Sequence, residues 1–182
     1  MPPGSDGSAG RPSVLLLVVA GTALGFAESL LPRPVPFLKP GFANIAGVIA
    51  ALTMGTRGAA RVNATRSLAV ALATGTLATP SFALSMSGAL SSAVLMGACS
   101  RLVPGRLSIT ALSVAGSAAG MAAQLLTAGA ILPGLPLRAL MLPAAAWAAA
   151  SGAIVGIVSA SLMRSGLMMR LQGGLVREPG PG

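Results

Sequence analysis

A small set of polar residues inside or beside the apolar stretches of this chain could bind a small molecule. Ionisable and amide side chains are costly in an apolar environment, so residues of these types are functional candidates. The set contains one carboxylate, two amides, three hydroxyls and one indole: Glu28, Asn44, Thr79, Ser81, Ser85, Gln124 and Trp147. These groups can hydrogen-bond a polar metabolite, and the indole adds a flat apolar surface. We therefore predict that they bind a substrate.

The residues that the common catalytic chemistries require are missing. There is no histidine, which is the commonest general base, and no apolar run holds two carboxylates. The only lysine, Lys39, is followed by Pro40, so the chain has no P-loop for ATP. Cys99 is the single cysteine and lies in an apolar run, where a small buried hydrophobe is expected. We expect a protein that is not an enzyme and that holds no metal ion or cofactor.

The composition is typical of a chain in contact with lipid. Hydrophobic residues make up 54% of the 182 residues and charged residues only 8%, whereas a soluble domain carries about 25% charged residues. The net charge is +9, but the arginines are scattered between apolar runs and there is no tyrosine. Nucleic-acid binders instead cluster basic residues on one face, often beside stacking aromatics. We predict an all-α integral membrane protein that binds no nucleic acid.

Six apolar runs are visible, and each is a candidate for a membrane-crossing helix. They cover residues 13–31, 41–54, 62–79, 81–99, 107–131 and 139–163, and the second is short. The first could be a cleaved signal peptide, but its apolar stretch is long and Glu28 stands where small residues would mark cleavage. We favour a retained helix and a six-helix membrane domain over residues 13–171. Residues 1–12 and 172–182 are predicted to be disordered tails.

The arginines predict how these helices are oriented in the membrane. Eight basic residues lie on the side of the two termini, and three lie on the other side. The eight are Arg11, Arg57, Arg61, Arg101, Arg106, Arg164, Arg170 and Arg177, and the three are Arg33, Lys39 and Arg138. Because basic loops stay in the cytoplasm, we predict a multi-pass protein of the inner membrane with both termini cytoplasmic.

This orientation places the polar set in the outer half of the membrane. We predict that six of its members line one outward-facing cavity: Glu28, Asn44, Ser81, Ser85, Gln124 and Trp147. The alternatives are a hydrated carboxylate at the interface, amides that bond neighbouring helices, and an indole that faces lipid. Arg66 is predicted near the cytoplasmic end of the third run, away from the cavity, as a structural charge that reaches the headgroups or a partner carbonyl.

Small residues recur four positions apart, which allows helices to approach closely. Gly21 with Gly25 and Ala23 with Ala27 form such pairs in the first run. We predict that these four residues dock a second membrane protein. Packing within the bundle is the alternative for every such pair, including those at Gly116 and Gly152.

Two segments resemble a known family. Residues 28–45 read ESLLPRPVPFLKPGFANI, which is similar to the pattern E, then P-x-P, then LK-x-G-x-ANI that opens the Gx transporter family, also described as heptaprenyl diphosphate synthase component one. Residues 80–88 read PSFALSMSG and resemble that family's PSF-x-LS-x-x-G. Arg66 stands about where the family has an arginine, and Pro40 replaces a residue that is more often apolar. The resemblance covers roughly residues 21–163.

The resemblance implies a function without enzymatic activity. The family is similar to the S components of energy-coupling factor transporters, six-helix bundles that capture a small metabolite or vitamin. These dock on a transmembrane coupling subunit that two separate ATPase subunits drive. The alternative is a non-catalytic accessory subunit of heptaprenyl diphosphate synthase. Catalysis of that reaction needs Mg²⁺ held by carboxylates, and only Glu28 lies within the predicted bundle. A third possibility is a scaffold or lipid-handling protein.

Overall fold

A computed structural model describes residues 13–30, 41–103 and 105–165, and the two predicted tails lie outside these residues. The described part contains five α-helices and no strand. The helices are α1 (Val14–Leu30), α2 (Asn44–Ala73), α3 (Pro80–Leu102), α4 (Ile109–Ile131) and α5 (Leu137–Arg164). Each helix packs mainly on the next one along the chain, and α2 also contacts α5. The prediction of an all-helical protein is therefore confirmed for the described residues.

Local sequence sets where the helices begin. Ser13 Oγ accepts a hydrogen bond from Leu16 N at 3.2 Å, and Ser108 Oγ accepts one from Ala111 N at 3.0 Å. These side chains satisfy amides that have no partner in the first turn of a helix. α3 begins at Pro80, where proline costs nothing because its missing N–H would be unpaired in any case.

α2 is divided at Gly55, whose backbone is in the left-handed region (φ 68°, ψ −166°). The chain reverses there, so that the arms 44–54 and 56–73 lie against each other. Gly47 is on one arm and Asn63 on the other, and a Cβ added at Gly47 would lie 2.5 Å from Asn63 Oδ1. The second and third predicted runs are thus joined into one helical hairpin. The predicted count of six separate helices is not confirmed.

The outer surface of the bundle is apolar. Among the described residues, α3, α4 and α5 are long and apolar enough to cross a membrane, and α1 is a shorter apolar helix. Large aliphatic side chains such as Leu126 (72% exposed) and Leu142 (80%) project from the surface. Hydrocarbon is the solvent that such a surface requires. The helices therefore fit a membrane protein.

One end of the bundle carries most of the described arginines. The Gly55 turn lies beside the guanidinium of Arg101, close to the end of α3. Arg57, Arg61 and Arg106 are close to this turn or to the α3–α4 link, and all are exposed. Arg138 lies at the start of α5, at the opposite end. We call the end that carries Arg57, Arg61, Arg101 and Arg106 the arginine-rich end.

Glycines at the four-residue spacings pack inside the bundle. A Cβ at Gly21 would lie 2.9 Å from Arg66 Cδ, and one at Gly25 would lie 2.9 Å from Val70 Cγ2. The prediction that these two glycines dock a partner is therefore wrong, because α2 already occupies their face. Ala23 and Ala27 are exposed on another face of α1, and their docking role stays a prediction.

Candidate functional site

A buried pair of polar residues on the second arm of α2 is the centre of the site. Asn63 is completely buried, and Arg66 is 9% exposed one turn later. Arg66 Nε donates a hydrogen bond to Asn63 Oδ1 at 3.0 Å, and Asn63 Nδ2 donates to the Ala89 carbonyl on α3 at 2.9 Å. The amide thus orients the guanidinium and joins α2 to α3.

Glu28 brings a carboxylate to the same region from the end of α1. Its side chain is 5% exposed, and Oε1 accepts a hydrogen bond from Ala43 N at 3.1 Å, at the residue that precedes α2. Glu28 also lies close enough to attract the Arg66 cation electrostatically. The end of α1 is therefore coupled to both arms of α2.

Glu28 and Arg66 line a cavity of about 120 Å³ between α1, α2, α3 and α4, which we call the polar cavity. Its functional groups comprise an acid, a base, two amides and four hydroxyls: Glu28, Asn44, Arg66, Ser67, Ser85, Ser92, Ser117 and Gln124. Glycine makes the room for them, since a Cβ at Gly88 would collide with the Gln124 side chain. No aromatic residue is among the described residues that line this cavity.

Four of the seven predicted binding residues line the polar cavity: Glu28, Asn44, Ser85 and Gln124. Ser81 lines a neighbouring cavity instead. Thr79 is exposed at the start of α3, where its Oγ1 donates to the Thr76 carbonyl at 2.7 Å. Thr79 lines neither cavity. The prediction of a shared cavity thus holds for the four only.

The predicted shared cavity does not include Trp147, and a substrate-binding role for it stays a prediction. Its side chain is 36% exposed on α5 and lines neither cavity. The buried stripe of α5 follows Ala144, Ala148 and Gly152, four residues apart, and Trp147 lies on the flank of that stripe. The prediction rested on the depth of Trp147 along the bundle. The rotation of α5 about its axis is what keeps the side chain out of the polar cavity.

Arg66 is also not where the sequence placed it. The predicted run began at residue 62, which put Arg66 near the helix end and away from the cavity. The second arm of α2 instead begins at residue 56, so Arg66 is the eleventh of its 18 residues (56–73). Arg57 and Arg61 interrupt the apolar run without interrupting the helix, and the guanidinium reaches the polar cavity.

Sequence reasoning missed four residues of this region: Asn63, Ser67, Ser92 and Ser117. Asn63 and Ser67 precede and follow Arg66 on the same arm of α2, within one turn. Polar residues within one turn of an intramembrane arginine are a signal that could have identified them. Ser92 is one helical turn beyond Gly88 on α3, and its Oγ accepts a bond from Asn44 Nδ2 at 3.4 Å.

The neighbouring cavity, of about 460 Å³, lies between the C-terminal ends of α1 and α2 and the N-terminal end of α3. Its lining combines hydroxyls such as Ser81 and Thr76 with the rings of Phe26 and Phe82. No charged side chain is among the described residues that line it. It lies on the side of the polar cavity that is remote from the arginine-rich end.

The arrangement can bind a small polar molecule. The polar cavity presents opposite charges and neutral hydrogen-bonding groups, which together can hold a small polar molecule. Within the described ranges, no three His, Cys, Asp or Glu residues come together as a metal site.

Comparison with protein families identifies the chain. The sequence model of the heptaprenyl diphosphate synthase component I family matches residues 17–162, which is 146 of the 182 residues. The match includes both cavities and reaches from α1 to α5. No curated protein and no solved structure matches the chain. The extent of the family match shows that this chain belongs to the heptaprenyl diphosphate synthase component I family.

Proposed function

We propose that this chain is a membrane-embedded binding subunit that captures a small polar metabolite in the polar cavity and performs no chemistry of its own. The observation that carries the proposal is the cavity itself, in which Glu28, Arg66 and Gln124 converge inside an apolar bundle. Ionisable and amide groups beside a cavity in an apolar bundle are costly to place there, which marks them as functional candidates. A polar molecule in the cavity would exchange hydrogen bonds with them in addition to their contacts within the bundle.

The lining limits the kind of ligand. The cavity volume of about 120 Å³ corresponds to roughly four water molecules at about 30 Å³ each. Among the described lining residues there is no aromatic ring to stack on, so recognition would rest on charge and hydrogen bonds. A compact molecule with both donor and acceptor groups fits these conditions best.

The orientation follows from the arginine-rich end. We propose that this end is cytoplasmic, that both termini are on that side, and that the cavities open outward in the inner membrane. The first arm of α2 has 11 residues (44–54) and covers about 16 Å, so it reaches only about halfway across the hydrocarbon core. α3, α4 and α5 are long and apolar enough to cross, whereas α1 (17 residues) and the second arm of α2 (residues 56–73) cover about 26 and 27 Å, slightly less than the hydrocarbon core.

Energy for uptake would come from other chains. The sequence has no P-loop, so a transmembrane coupling subunit and ATPase subunits would have to supply it. The resemblance of residues 28–45 and 80–88 to the Gx transporter family supports this part of the proposal.

A capture experiment tests the binding function. The purified chain in lipid nanodiscs is incubated with a polar metabolite extract, washed, and analysed for retained small molecules by mass spectrometry. We expect one compound to be retained, and Asn44→Leu and Gln124→Leu each to reduce its amount at least about tenfold, which corresponds to about 1.4 kcal/mol. Thr127→Val is the matched control, because Thr127 lies one turn beyond Gln124 on α4 and lines neither cavity. Retention that is absent, or equal in all variants, would contradict the proposal.

The family description supports a second candidate, a non-catalytic component of heptaprenyl diphosphate synthase. Glu28 is the single acid among the described residues, which argues against a Mg²⁺–diphosphate centre within them. The test measures heptaprenyl diphosphate formation by the catalytic subunit with and without this chain. A rate that depends on this chain, and that Gln124→Leu leaves unchanged, would favour the accessory role over metabolite capture.

A further inference from the structure

The polar cavity and the neighbouring cavity are adjacent. They share four lining residues: Gly25, Ser67, Val70 and Ser85. Gly25 has no side chain to separate them, and Ser67 and Ser85 contribute only hydroxymethyl groups. The neighbouring cavity lies nearer the end of the bundle, so a molecule that crosses it arrives at the charged groups of the polar cavity.

Ser67 at this junction is a buried hydroxyl without a hydrogen-bond partner. Its side chain is 4% exposed, and its Oγ accepts from and donates to no atom of the described residues. Most buried hydroxyls are paired, so an unpaired one requires an explanation. Because Ser67 lines both cavities, a molecule in either cavity could provide the missing partner.

Two other serines provide a comparison. Ser113 on α4 and Ser159 on α5 are completely buried, and their hydroxyls are also unpaired among the described residues. Neither lines the polar cavity or the neighbouring cavity. A Cβ at Gly156 would lie 3.1 Å from Ser113 Cβ, so Ser113 is within the close α4–α5 contact. Ser67 therefore differs from them in lining the two cavities.

We propose that the neighbouring cavity is the entrance of the polar cavity, and that Ser67 lines the passage through which a small hydrogen-bonding ligand moves between the two. The inference rests on the proposed binding function, since it assigns the route to the same site. The entrance has no charged side chain among its described lining residues and offers hydroxyls at Ser29, Thr76 and Ser81. Polar molecules of either charge would therefore move through the entrance. Glu28 and Arg66 in the polar cavity would then select among them by charge.

Thiol labelling tests this passage without a ligand. Cys99 is the only cysteine, so Cys99→Ala gives a background in which Ser67→Cys, Ser113→Cys or Ser159→Cys carries the single thiol. The probe is sulfonatoethyl methanethiosulfonate, a charged reagent that needs a water-filled route. We expect Ser67→Cys in the purified folded protein to react at least about tenfold faster than the two controls, since thiol reactivity follows exposure. Equal modification of all three after unfolding in SDS verifies that each thiol is intact.

A blocking variant identifies the route. Ser81 lines the neighbouring cavity only, so Ser81→Trp should obstruct it and slow labelling of Ser67→Cys at least about tenfold. Leu90→Trp, on the exposed face of the same helix, should leave the rate unchanged. Labelling of Ser67→Cys no faster than of the controls, or as fast with Ser81→Trp as without it, would overturn the inference. A failed capture experiment with normal labelling would reject the binding function and leave the passage intact.

Discussion

The polar cavity and the α4–α5 interface are built from similar small residues and have opposite properties. Beside the polar cavity, two glycines lie opposite long polar side chains: Gly21 faces Arg66, and Gly88 faces Gln124. Between α4 and α5, glycines lie opposite backbone, since a Cβ at Gly152 would be 2.8 Å from Val114 Cα and one at Gly156 would be 2.6 Å from Thr110 Cα.

The comparison separates two uses of glycine in a membrane bundle. At the α4–α5 interface, a missing side chain lets two backbones approach, and the gain is van der Waals contact in a lipid environment. Around the polar cavity, a missing side chain provides the volume that an amide or a guanidinium occupies. The close backbone approach at the α4–α5 interface determines stability. The space left by glycine beside the polar cavity determines which functional groups line that cavity. Substitutions should therefore have different consequences in the two regions.

The largest effect on stability is expected at the α4–α5 interface. Gly156→Ala would place a methyl group against Thr110 Cα, and backbone cannot move aside as a side chain can. We expect a loss of about 3 kcal/mol in the free energy of unfolding, at the upper end of the cost of overpacking. Unfolding by SDS in mixed micelles measures it.

Gly129→Ala on α4 is the matched control. Its new methyl group would meet only the end of the Leu137 side chain, at 2.6 Å from Cδ1, which can rotate away. We expect Gly129→Ala to lower the free energy of unfolding by less than half as much as Gly156→Ala does. Equal losses at the two positions would show that backbone contact is not what distinguishes the α4–α5 interface.

An intermediate effect is expected at the centre of the polar cavity. Arg66→Met keeps much of the side-chain length but removes the donor to Asn63 Oδ1 and the charge that attracts Glu28. Removing one partner of a buried pair typically costs about 3–5 kcal/mol, while hydrogen bonds within membranes average about 0.6. We expect a loss of about 2 kcal/mol, between these limits, together with loss of metabolite capture.

Arg61→Met provides the control, because Arg61 is exposed on the same arm of α2. It should change the free energy of unfolding by less than about 0.5 kcal/mol, the usual range for surface substitutions. An Arg66→Met protein as stable as Arg61→Met would mean that the buried guanidinium contributes nothing to the fold. Both variants are measured by the same SDS unfolding assay.

Hydropathy predicts most of this fold because each helix must present an apolar surface. It fails at α2, where Arg57 and Arg61 interrupt the apolar run, although polar residues do not interrupt a helix when they face water or headgroups. Hydropathy also cannot identify a chain reversal that depends on one glycine. Gly55 adopts a positive φ at a position that resembles many other glycines in the chain.

Depth along the bundle was predictable for the candidate site, and rotation about the helix axes was not. Glu28, Asn44 and Gln124 were placed in the same half of the membrane by their positions in successive runs, and they line one cavity. Trp147 satisfied the same criterion and lies on the flank of α5. Which face of a helix is buried depends on tertiary packing, and the small residues of this chain mark several faces at once.

The smallest effect, and the sharpest comparison of the two regions, is expected at their unpaired serines. Ser113→Ala removes a hydroxyl that is buried in the α4–α5 contact without a partner. Because an unsatisfied buried hydroxyl carries a desolvation cost of about 1–3 kcal/mol, its removal should stabilise the protein by up to about 1 kcal/mol after the small void is counted. Ser67→Ala removes the hydroxyl of a residue that lines both cavities. If water reaches that hydroxyl in the empty protein, it carries no such cost, and its removal should leave the free energy of unfolding within about 0.3 kcal/mol of the parent.

The two variants are compared side by side in SDS unfolding. Equal stabilisation by both would indicate that Ser67 is as dry as Ser113, and the cavities would then be closed packing defects rather than a route for a ligand.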